Sequence, residues 1–119
     1  MVDSVVPADG LDIQVAEHGP QTRIVIVTGE LDALTAPALA TVLAKTLAAA
    51  QVVVVNLDGV QHLASAGLRV LIEVHELAAE HGGDLWLVCH SVNANRVLDG
   101  SGLREHFAFA DSVALALSQ

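Results

Sequence analysis

Residues Val52-Val-Val-Val55 constrain this chain more than any other segment, because four consecutive β-branched apolar side chains leave no polar face. A strand of that kind is covered on both sides, as the central strands of a parallel sheet are. Helical patterns flank it. Before it, Thr35 precedes Ala36-Pro37, a hydroxyl followed by proline in a first turn. Leu39, Val42, Leu43, Thr46 and Leu47 then recur at helical spacing to about Ala50. After it, Asn56-Leu57-Asp58-Gly59 and Val60 to Ala64 lead to Ser65, which stands just ahead of a second helical pattern lasting to about His81. Leu68, Leu71, Ile72 and His75 form its inner face, and Gly82-Gly83 stops it.

The rest of the chain repeats this alternation. Leu11, Ile13 and Val15 alternate with Asp12, Gln14 and Ala16, the turn residues His18-Gly19-Pro20-Gln21 follow, and Arg23 to Thr28 reads as the second strand of a hairpin that Gly29-Glu30-Leu31-Asp32 closes. Leu85 to Cys89 is a further buried strand. Ser91 caps a short helix that ends at Asp99-Gly100-Ser101-Gly102, Phe107 and Phe109 mark a brief strand, and Asp111-Ser112 opens a terminal helix. The order β-β-α-β-α-β-α-β-α predicts an α/β fold with a mostly parallel central sheet. Residues 1–10, interrupted by Pro7 and Gly10, read as a flexible tail, and residues 11–119 as one domain.

Charge narrows the function. Fourteen acidic residues face five basic ones, a net charge of −9, which repels phosphate backbones and anionic lipid and favours a basic protein partner. No apolar stretch approaches the roughly 20 residues a membrane span needs. A single cysteine, Cys89, and a start without a basic and apolar leader favour a reducing, cytoplasmic setting. Catalytic templates fail on spacing. His75-Glu76 has no histidine at position 79, Gly100-Ser101-Gly102 lacks a third glycine in register, and the single lysine, Lys45, lies inside a helical pattern rather than in a phosphate loop. Leu63-Ala-Ser-Ala-Gly67 is only half of a nucleophile elbow. Neither a metal nor a cofactor is expected, Cys89 reads as a small core hydrophobe, and Arg69 and Glu73 read as a surface ion pair. Ser65 remains, with two readings open: a helix cap, or a hydroxyl that small neighbours leave open at a helix N-terminus suited to a phosphate.

Three groups of residues, taken together, resemble the STAS-domain anti-sigma factor antagonists of bacteria. They are Gly29-Glu-Leu-Asp32 with Thr35-Ala-Pro37 and Leu39, then Val52 to Leu57 with Val60 and Leu63-Ala-Ser-Ala-Gly-Leu68, then Arg96-Val-Leu98 with Ser101-Gly-Leu103. The resemblance implies a non-catalytic STAS fold. Its unphosphorylated form binds an anti-sigma factor of histidine-kinase-like ATPase fold and so frees a sigma factor, and phosphorylation at the position of Ser65 switches it off. It further implies partner contacts from Asp32, Thr35, Ala64, Ser65, Ala66, Gly67, Leu68 and Arg69, with the Asp32 carboxylate either touching the kinase or holding its own loop. The family's order is Asp-Ser-Ser/Thr-Gly-Leu; here Ala64 and Ala66 replace the aspartate and the second hydroxyl residue while Ser65 is kept. Alternatives are a STAS subunit of a transporter, of a lipid-trafficking ATPase or of a signalling scaffold, and, ranked last, a small-ligand sensor. The expected state is a monomer or weak dimer.

Overall fold

A computed structural model describes residues 10–118 in full and the backbone of residues 2–4. One six-stranded sheet, in the order β1-β2-β3-β4-β5-β6, organises the chain. The strands are β1 (Val2–Ser4), β2 (Leu11–Glu17), β3 (Thr22–Leu31), β4 (Val52–Leu63), β5 (Asp84–Val88) and β6 (Ala108–Phe109). The helices are α1 (Ala36–Ala49), α2 (Ser65–Glu80), α3 (Val92–Gly100) and α4 (Val113–Leu117). β1, β2 and β3 pair antiparallel, and β3 to β6 pair parallel. The expected α/β fold with a mostly parallel sheet backed by helices is therefore the fold observed.

The valine run behaves as its composition requires: Val53, Val54 and Val55 are fully buried. Val53 and Val55 join Val25, Val27, Leu85 and Leu87 in the main core, with Leu39, Leu43 and Leu47 of α1 and Leu68, Leu71 and Val74 of α2. Val54 points the other way, and with Val88 it packs under Ala116 of α4 beside Ile24, Trp86 and Val113.

Three elements differ from the sequence expectation. Val2–Ser4 lies within the expected tail yet adds an antiparallel edge strand to β2, a pairing too short to leave a pattern in the sequence; Met1 and residues 5–9 of that tail fall outside the described residues. β3 runs on through Gly29 to Leu31 rather than closing at Gly29, and β4 runs on past Val55 through Asn56 to Leu63. The reason is a pair of bulges. Between Ile26↔Asn56 and Thr28↔Gly59, and again between Gly29↔Val60 and Glu30↔His62, β4 advances one residue more than β3. Polar Asn56, Asp58 and Gly59 belong to the first bulge, where Asn56 Oδ1 accepts the Asp58 amide at 2.9 Å. A Cβ on Gly59 would strike the Thr28 methyl, so the bulge requires glycine.

Candidate functional site

β3, β4 and β5 run parallel, so the segments after them, carrying Asp32, Ser65 and Ser91, emerge along one edge of the sheet. Ligands of open α/β sheets bind beyond the carboxyl ends of the strands. Ser65 occupies the middle of that edge.

The loop after β3 is closed by its own side chains. Asp32 Oδ1 accepts the amides of Leu34 and Thr35 at 3.0 and 3.1 Å. Thr35 Oγ1 accepts the Asp32 amide and donates to the Glu30 carbonyl, both at 2.9 Å, with Thr35 only 2% exposed. Thr35 thus starts α1 without capping it by its hydroxyl. The Asp32 carboxylate holds its own loop through these bonds. Thr35 is buried, so its contribution to this edge is structural.

The α2 end is built from small residues for a steric reason. A Cβ at Gly67 would lie 2.5 Å from Leu31 Cγ and 3.0 Å from Leu63 Cδ1, so the first turn approaches the ends of β3 and β4 as only glycine permits. The Ala64 amide donates to the Leu31 carbonyl at 2.9 Å, joining the two loops. Ser65 is not the cap: Ala64 takes that position with φ −93° and ψ 169°, and no side chain caps the helix. Ser65 is the first helical residue and is exposed, while Ala64 and Ala66 are half-buried beside it. Among the described residues its hydroxyl makes no hydrogen bond. Leu68 is buried core and Arg69 is exposed; Arg69 and Glu73 form no ion pair, in accord with the small gain such exposed pairs offer.

The third loop carries contacts the sequence did not reveal. Asp58 Oδ1, in the β4 bulge, accepts the His90 amide at 2.7 Å and faces His90 Nδ1 at 2.9 Å. The hydrogen bond to Asp58 and then its charge push the His90 imidazole above its ordinary value. Ser91 caps α3 by accepting the Ala94 amide at 3.2 Å and donates to the Val60 carbonyl. Asn93 Nδ2 donates to the Gln61 carbonyl at 2.9 Å. The polar trio Asn56-x-Asp58-Gly59 inside an apolar run was the signal for this tie. Cys89, just past β5, is 8% exposed, and burial pushes its thiol up.

The chain belongs to the STAS domain family, whose model matches residues 13–116. It is similar to an anti-sigma factor antagonist from Mycobacterium paratuberculosis, with a TM-score of 0.82 and 27% identity over 94% of this chain and 95% of that one. It shares the fold of the anti-sigma factor antagonist SpoIIAA in its unphosphorylated form, at a TM-score of 0.75 and 18% identity over 89% of this chain and 93% of that one. The phosphorylated form of the Bacillus cell fate determinant SpoIIAA gives a TM-score of 0.69 at 18% identity, covering 89% of this chain and 96% of that one. No curated protein matches the chain by sequence.

Proposed function

We propose that this chain is an anti-sigma factor antagonist, which works by binding and not by catalysis. Its unphosphorylated form docks onto an anti-sigma factor of histidine-kinase-like ATPase fold and frees a sigma factor, and phosphorylation of Ser65 ends the docking. The likeness to the mycobacterial antagonist over nearly the whole of both chains supports the role. The observation that carries the switch is the exposed Ser65 hydroxyl on the first turn of the sixteen-residue α2, with no capping side chain in its way.

The chemistry asks little of this chain. The Ser65 oxygen attacks the γ-phosphorus of a kinase-bound ATP, the bond to ADP breaks, and the hydroxyl proton passes to a base on the kinase. The first-turn amides and the helix dipole favour the phosphate that results. At a closed interface fitted to a small hydroxyl the same dianion must shed its water, a cost of several kcal/mol that the general attraction of a basic face does not repay without close-fitting partners. Docking would then involve Ala64, Ala66 and Arg69 around Ser65, positioned by Asp32, Thr35, Gly67 and Leu68.

The test uses purified kinase-fold anti-sigma factors from the same genome, with ATP. Wild type and Ser65→Ala bind one of them alike, Ser65→Asp fails, and the wild type alone gains the mass of one phosphate. Binding by wild type and Ser65→Asp alike, with no gain in mass, overturns the switch.

A further inference from the structure

Among the described residues only three large apolar side chains stand exposed: Leu34 at 89%, Val92 at 69% and Leu115 at 50%. Leu34 lies in the loop after β3 and Val92 at the first position of α3, after β5. Both strands flank β4, whose end at Leu63 leads through Ala64 into Ser65. The Ala64 amide ties the residue ahead of Ser65 to Leu31 at the start of the Leu34 loop, and the Ser91 and Asn93 side chains tie the start of α3 to Val60 and Gln61. The two apolar residues therefore stand on either side of the β4 segment that leads to the serine. Single exposed apolar residues scattered over a surface mean little, but two on either side of one reactive group form a pattern.

The fold does not require either side chain. Neither Leu34 nor Val92 belongs to a core cluster or packs against one. The segments that carry them are nonetheless held by hydrogen bonds. The Leu34 amide is held by Asp32, and buried Thr35 locks the same turn. Val92 sits between Ser91 and Asn93, whose side chains reach the Val60 and Gln61 carbonyls of β4. Apolar knobs on pre-ordered loops lose little conformational freedom on docking, which is what an interface anchor needs.

Charge selects the occupant. Glu30 is exposed near the end of β3, and the exposed Arg69 beside Ser65 offsets only part of a chain charge of −9. A second copy of this chain would bring the same sign to the same edge, whereas a basic protein face complements it. Resting on the docking role proposed above, we infer that Leu34 and Val92 are apolar anchors on either side of Ser65, received by two apolar sockets in a basic face of the anti-sigma partner.

The experiment measures Kd by calorimetry for the anti-sigma factor that binds the wild-type chain. Leu34→Gln and Val92→Gln each weaken binding about tenfold or more, while Leu115→Gln, which lies outside this edge, leaves it within about twofold. Leu34→Lys weakens it further than Leu34→Gln, because it sets a cation against a basic face. Thermal melting of every variant checks that the fold is intact, and one that melts early is replaced by Leu34→Ala or Val92→Ala. Gln variants that bind like wild type overturn the anchors while the docking role stands. A wild-type dimer that Leu34→Gln dissociates overturns the choice of partner. A wild type that binds no anti-sigma factor removes the docking role itself, and the anchors fall with it.

Discussion

At Ala64 the backbone already has the extended conformation of a helix cap, yet its methyl group offers the first-turn amides of α2 no acceptor. Replacing it with serine or aspartate adds that acceptor at no conformational cost, and either change stabilises the protein by about 0.5–2 kcal/mol. Urea denaturation of Ala64→Ser and Ala64→Asp measures this; no gain in either would mean that the cap geometry is unused. Sequence placed the cap one residue late because Ser65 is the hydroxyl residue and hydroxyls favour caps. What sets the helix start is packing: Leu63 is buried at the strand end and Gly67 fits against Leu31, which fixes the turn before any hydroxyl is consulted. Thr35 carries the same lesson, since its hydroxyl is drawn inward by the Glu30 carbonyl instead of capping α1.

β4 and the β5–α3 segment are joined by a contact whose strength depends on protonation. The Asp58 carboxylate, by its hydrogen bond and then its charge, favours the protonated His90 ring and holds its folded-state pKa above the ordinary 6.5. The contribution is complete below the unfolded pKa and fades as pH rises through the raised folded one, so the tie weakens as pH climbs past 6.5 and through that raised value. NMR titration of the His90 ring gives a midpoint above 6.5 in the wild type, and Asp58→Asn brings it down toward 6.5; a midpoint that ignores Asp58 would refute the pairing. This element was half legible. Val52 to Val55 announced a buried strand and Ser91 announced the start of α3, and both stand. The further course of β4 was hidden because a bulge places Asn56, Asp58 and Gly59 where an unbroken strand has apolar residues.

For the molecule as a whole, charge governs how a partner is met. With a net charge of −9, the docking proposed above onto a basic partner is steered, and raising ionic strength from about 0.05 to 0.5 M slows it about tenfold with little change in dissociation. Stopped-flow mixing reads both rates; an association rate indifferent to salt would exclude a basic docking face. The architecture was largely legible, because a strand covered on both faces and flanked by helices admits few folds. The position of α4 was not legible. Its five residues repeat the apolar pattern of the other helices, but they cover Val54 and Val88 on the opposite side of the sheet.

The strand order has its own consequence. Each strand is laid beside the one made just before it, so a chain leaving the ribosome never has to open a finished sheet to insert a later piece. Assembly proceeds outward in a single direction, and the serine edge takes its final form once β5 and the start of α3 have arrived.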